Sequence, residues 1–297
     1  MKKTFRSVPL LQWISLLSAG VAAILQTLAI LFSYEDTSNY FVPGAPLPIA
    51  AIIFALISLL TGLATSFLHR PRDKKEIASH FHSLHYVTAF GFLCALSGIM
   101  LELIQKALKT WERHTDSQRF FEDYLNGLRI KLTLLCVPFL ILAICYCILL
   151  ARRGYKKDPQ QTAWLGLAAV IACALLSANL YFDMSIEMNA PVKIFSQGGC
   201  LCAMVFFTAE LRRLLEKKFA TLLLALSNLL ISMISLSSLA FPVAYLTGAI
   251  DRFEHFAYAL FLLCMLPTAL GQILDLSIDT SQKSDPAESD TERTETI

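Results

Sequence analysis

The chain has 297 residues, 56% of them hydrophobic and only 16% charged, with a formal net charge of +2. A soluble domain carries about a quarter charged residues, so this composition excludes an ordinary soluble fold and calls for lipid as one of the solvents. A balance so close to neutral leaves no basic footprint for nucleic acid, and none is expected as a partner.

Taken in order, the chain opens with Lys2, Lys3 and Arg6 before an apolar run, the pattern of a secretory signal. The run continues to Phe32, past a signal core of roughly 7 to 15 residues, which predicts a retained first helix over 10–32. A link with Pro43, Gly44, Pro46 and Pro48 breaks the helix and a second follows over 47–68. The basic stretch His69 to Lys75 precedes a third helix at 86–108, and a polar segment from Lys109 to Arg129 separates it from a fourth at 132–151. Trp111, Phe120, Phe121, Tyr124 and Leu128 include spacings of three and four, which predicts an interfacial amphipathic helix in that segment. Asp158 and Pro159 form a joint, after which helices are expected over 161–182, 193–211, 219–241 and 256–277. Each is long enough for a hydrocarbon core of about 30 Å at about 1.5 Å per residue. The fold class expected is therefore an all-α polytopic membrane bundle of eight helices, four in residues 1–158 and four in 159–278, with a disordered acidic tail over 279–297.

With the N-terminus on the cytoplasmic side, the inner segments hold 17 Lys and Arg and the outer segments 8. The positive-inside bias then puts both termini in the cytoplasm and the protein in the cell membrane. Sliding one half over the other sets Glu35 against Asp183, Pro46 against Pro191, and Pro138 against Pro267. That alignment predicts two parallel four-helix repeats about an axis along the membrane normal; the alternative is that any two positive-inside hairpins look alike.

The stretch from Tyr181 to Lys193, Tyr-Phe-Asp-Met-Ser-Ile-Glu-Met-Asn-Ala-Pro-Val-Lys, followed by Phe206-Phe-Thr-Ala-Glu-Leu-Arg212, resembles a segment of uncharacterised multi-pass membrane proteins of Gram-positive bacteria. The resemblance covers helices five and six and implies eight helices and no established activity.

Candidate chemistry lies in a few polar groups. Asp183, Glu187 and Asn189 surround the turn before Pro191, with Asn179 one helical turn away. If Glu35 lies across the axis, these residues form an acidic outer mouth for a cation, an amine or another small solute; otherwise they are an ordinary solvated loop. Glu102 is an acid in an apolar helix, where charge is costly, and either faces a cavity or pairs with Lys106 four residues on. Glu210 has Arg213 three residues later as a partner. Asn228 sits in a helix rich in serine, which either packs tightly against neighbours or lines a polar path.

His80, His82 and His85 offer at most two metal ligands on one helix face, so no metal is expected. The eight cysteines lie inside apolar runs and read as packing residues without disulfides. No Gly-x-Ser-x-Gly, phosphate loop or paired intramembrane aspartate occurs, so neither an enzyme nor a cofactor is expected. Two functions remain: a non-enzymatic bundle that binds or moves a small solute, ion or lipid, and a membrane sensor or assembly partner that docks proteins through its loops and tail.

Overall fold

The structure is a computed structural model that describes residues 8–35, 40–68, 71, 81–112, 120–153, 159–183, 189–216, 219–248 and 253–281. Helix α1 spans Leu10–Ser33 and α2 spans Pro46–Leu68. Two short strands, Tyr34–Glu35 (β1) and Tyr40–Phe41 (β2), pair antiparallel between them, with the Tyr34 and Phe41 rings edge to face at 5.6 Å. A single 3₁₀ turn at His82–Leu84 leads into α3, His85–Glu112. Then follow α4 (Phe120–Arg153), α5 (Pro159–Tyr181), α6 (Pro191–Glu216), α7 (Ala220–Ser237), α8 (Ala240–Leu246) and α9 (Phe253–Ser281). Pro46, Pro159 and Pro191 each stand at a helix start, where the missing N–H costs nothing.

Eight of these segments are long and apolar enough to cross a membrane, with α7 and α8 together forming one of them. The pattern of eight is the one the hydropathy implies, but α3, α6 and α9 run on to Glu112, Glu216 and Ser281, past the expected ends at 108, 211 and 277, so residues 279–281 of the tail expected to be disordered are helical; two further segments differ in kind. Helix α4 begins at Phe120, so Phe120, Phe121, Tyr124 and Leu128 of the stretch expected to form a separate interfacial helix belong to one continuous 34-residue helix, while Trp111 lies in the last turn of α3 and residues 113–119 lie outside the described ones. The cause is that Ile130, Leu132 and Leu134 continue its apolar run without a breaker. The seventh segment is not continuous either: α7 stops at Ser237, and Ser238 and Leu239 form a turn before α8. Ser237 and Ser238 donate back to the Met233 and Ile234 carbonyls, the local bonding by which serine competes with helix continuation.

Packing divides the bundle into two parts. Helices α3, α4, α5, α6, α7 and α9 each pack on the next, and α9 returns to α3, closing a ring of six. The α1–α2 hairpin lies outside this ring and packs on α7. A parallel four-plus-four duplication would need the α3–α9 pairing to recur between α7 and α4, and the α2–α7 pairing between α6 and α3. The first is not among the substantial pairings of the described residues; α3 and α6 do meet, but through side chains inside the ring, Phe92 with Phe207 and His85 with Glu210. The arrangement is two plus six, because the hairpin docks on one helix where a repeat would need it to complete a symmetric half.

The ring is filled. Phe92 of α3 lies 5.7 Å from Phe207 of α6 and 4.8 Å from Phe261 of α9, ring centre to ring centre, and Tyr146 of α4 meets Phe207 edge on at 6.3 Å. All four are buried. Gly91 and Gly98 let α3 approach α9 closely: a Cβ on either would come within 2.6 Å of Cys264 or Ala257.

Candidate functional site

The ring carries a buried polar cluster at each end. On α3 the two ends are marked by His85 and Glu102, on α4 by Tyr146 and Arg129, on α6 by Glu210 and Lys193, and on α9 by Asp275 and Tyr258. Each pair is separated by 17 residues, which at the helical rise is about 25 Å. Four helices therefore repeat one spacing, and it places the two clusters near the two faces of a slab slightly thinner than a bilayer core.

At the first end Arg129 joins two acids. Its Nη2 lies 2.7 Å from Glu102 Oε1 and its Nη1 donates to Asp183 Oδ1 at 2.7 Å. Lys106 reaches the same Glu102 oxygen at 2.6 Å, and Lys193 donates to the Asp183 backbone carbonyl at 2.8 Å. Beneath them Thr133 donates to Asn179 Oδ1 at 3.2 Å and the Asn179 amide donates to the Tyr258 hydroxyl at 2.8 Å. Glu102, Asp183, Asn179 and Lys193 are all nearly inaccessible. In this dense arrangement two buried atoms, Glu102 Oε2 and Arg129 Nε, have no hydrogen-bond partner among the described residues.

Of the residues the sequence singles out, the structure brings Asn179, Asp183 and Glu102 together. Glu35 is exposed on β1 and Asn189 is exposed in the turn before α6, while Glu187 lies outside the described residues. Asp183 is therefore neutralised by a cation and buried, which removes the premise of a bare acidic mouth. The Glu102–Lys106 pair forms as expected, yet Glu102 also serves Arg129 on a different helix. The sequence reading overlooked Arg129, Thr133 and Tyr258. Arg129 precedes the apolar run that begins at 132, so sequence alone reads it as a loop charge; the constant spacing of polar residues along four helices is the signal that finds it.

At the second end three donors converge on Glu210. His85 Nε2 lies 2.9 Å from Oε1, Gln272 Nε2 donates to Oε1 at 3.2 Å, and the Tyr146 hydroxyl donates to Oε2 at 3.1 Å. Arg213, the expected partner of Glu210, donates instead to Gln272 Oε1 at 3.1 Å and so fixes the amide that faces Glu210. Asp275 is buried one turn along α9.

Asn228 belongs to neither cluster. It sits where the hairpin meets α7, accepts from Gln12 Nε2 at 2.7 Å and donates toward the Gly62 carbonyl at 3.3 Å. Ser15 donates to the Ser58 carbonyl at 2.8 Å, and the Ser58 and Ser232 hydroxyls are 3.0 Å apart. The serine-rich face of α7 is thus a packed, hydrogen-bonded seam between three helices, and nothing in its geometry opens a path.

Among the described residues no group of three His, Cys, Asp or Glu could hold a metal ion. No family model matches the chain, and no curated protein or solved structure is significantly similar to it.

Proposed function

We propose that this is a multi-pass protein of the cell membrane, both termini cytoplasmic, whose six-helix ring binds or moves a small polar solute without catalysing a reaction on it. The orientation rests on the excess of 17 Lys and Arg over 8 and puts the Glu102 end outside. The observation that carries the reading is the incomplete pairing of that end. A buried carboxylate oxygen and a buried guanidinium N–H, both without a partner among the described residues, sit on two residues already joined to each other. Leaving such atoms unmade costs about 1–3 kcal/mol each, more where charged, so an occupant that satisfies both at once is favoured. One atom needs a donor and the other an acceptor. A metal cation satisfies only the first; a small zwitterion or hydroxylated amine satisfies both.

The test is thermal stability of the purified full chain against amino acids, simple amines, polyols and divalent ions, wild type beside Glu102→Gln. A compound bearing both donor and acceptor groups should raise the wild-type midpoint and lose that effect in the variant. No shift in the wild type, or equal shifts in both proteins, defeats the reading. A second reading, a membrane sensor or assembly partner, is favoured by the aromatic plug of Phe92, Phe207 and Phe261 that separates the two ends. Uptake of the binding compound into liposomes separates the two: binding without uptake selects the sensor.

A further inference from the structure

We infer that His85 and Glu210 form a proton-binding site that latches the second end of the ring. This goes beyond the solute reading, since it stands on the Glu210 cluster alone. The argument is a count of hydrogens. His85 Nδ1 lies 3.0 Å from the backbone carbonyl oxygen of His82, and a carbonyl oxygen can only accept, so Nδ1 carries a hydrogen. His85 Nε2 lies 2.9 Å from Glu210 Oε1. A neutral imidazole with its hydrogen on Nδ1 would point the Nε2 lone pair at a carboxylate oxygen, two acceptors facing each other in a buried site.

The contact therefore needs one more proton than neutral histidine plus carboxylate supply. Because Gln272 and Tyr146 also donate to Glu210, the carboxylate is the ionised partner and His85 is the imidazolium. Moving the proton across to Oε1 leaves the count unchanged.

The surroundings agree with that charge. Facing the pair are Arg213 from α6, Asp275 from α9, Tyr146 and Cys147 from α4, and His82 from the 3₁₀ turn. With the proton bound, it lies between Nε2 and Oε1; without it, the Nε2 lone pair and a carboxylate oxygen face each other at 2.9 Å between two side chains each 1% exposed. Two acceptors held together in a buried site repel and leave each other unsatisfied, so loss of the proton drives the pair apart and releases the start of α3 from α6. The ligand of this site is the proton, and its occupancy sets whether that end of the ring is closed.

The experiment uses the full chain in lipid nanodiscs with ¹⁵N-labelled histidine at pH 7.5, where an exposed histidine, with its ordinary pKa of about 6.5, is mostly neutral. One ring should show both nitrogens protonated, and that signal should vanish in His85→Gln. A neutral His85 ring accompanied by a carboxylic-acid infrared band absent from Glu210→Gln places the same proton on the acid and also supports the site. Neither signal in the wild type overturns the proposal, and this arm needs no variant to fold. The latch is read by hydrogen exchange corrected for intrinsic rate. Raising the pH until the proton signal disappears should speed exchange in 85–90 and 207–213 and leave 176–180 protected. Proton loss with unchanged exchange refutes the latch.

Discussion

The seam between the hairpin and the ring gives the sharpest quantitative test. Gly62 of α2 faces Asn228 of α7 so closely that an added Cβ would lie 2.7 Å from Asn228 Cβ, 2.7 Å from its Cγ and 2.9 Å from its Oδ1. Carbon atoms are at their optimum at about 3.5–4.0 Å, so Gly62→Ala must push α2 off α7 by about 1 Å. Asn228 Cβ is fixed to a helix backbone and cannot swing aside. The displacement breaks the contacts Asn228 makes across the seam, with Gln12, the Gly62 carbonyl and Ser66.

Overpacking costs about 1–3 kcal/mol, and interhelical hydrogen bonds in lipid average about 0.6 kcal/mol each. The expected loss is therefore about 3 kcal/mol, measured by equilibrium unfolding in rising SDS mole fraction. Gly20 on α1 supplies the control, since an added Cβ there meets nothing within 4 Å and Gly20→Ala should be neutral or slightly stabilising. Because the hairpin docks outside the closed ring, hydrogen exchange in Gly62→Ala should rise in α1 and α2 while α3 to α6 keep their protection. Equal stability of the two alanine variants would refute the close approach of α2 to α7, and uniform loss of protection would refute the two-plus-six division.

Three further substitutions probe groups with opposite bookkeeping. Arg129→Gln strands both Glu102 and Asp183 and should cost about 3–5 kcal/mol, more than Asp183→Asn, which leaves Arg129 its contact with Glu102; an Asp183→Asn protein as stable as wild type would return that residue to a repulsive acidic mouth. Gln26 of α1 is fully buried and neither amide atom has a partner among the described residues, so Gln26→Leu, close in volume, should stabilise by about 1–3 kcal/mol in the same unfolding assay. A loss there would reveal a partner for Gln26.

The eight segments were legible because a bilayer imposes length and apolarity on every spanning helix, and those are local properties of sequence. Pro46, Pro159 and Pro191, placed by the sequence in the links just before helices starting at 47, 161 and 193, are instead the first residues of those helices, because a proline at the first position loses no hydrogen bond. Partner choice is not local. Nothing near Asp183 in sequence indicates that Arg129, 54 residues away, comes to it, and the cation one helical turn from Glu210, Arg213, binds Gln272. An i,i+3 or i,i+4 neighbour is always available on a helix surface, so sequence reading defaults to it. In a buried site the strongest partner wins, and it comes from another helix because a low dielectric rewards direct contact over mere proximity along the chain. The repeat is undecided by sequence on similar grounds, since hydropathy and charge bias are shared by all antiparallel hairpins and say nothing about which faces meet.

The two clusters and the plug between them constrain how the ring could rearrange. Phe92 touches Phe207 and Phe261 at once, and these two lie three residues from Glu210 and Tyr258 respectively, so a shift at either end is felt by the same three rings. Helices α4 and α9 each carry a polar residue at both ends and a proline between them, Pro138 in one and Pro267 in the other. A proline inside a helix removes one hydrogen bond and opens the chain on the side of the preceding turn, so bending is least costly there. Arg129 and Tyr146 thus lie on opposite sides of one hinge, and Tyr258 and Gln272 on opposite sides of the other. Helices α3, α5, α6 and α7 have no internal proline. Motion that couples the ends by bending therefore belongs to α4 and α9, the two helices that flank α3 in the ring, and replacing either proline should stiffen the ring without touching either cluster.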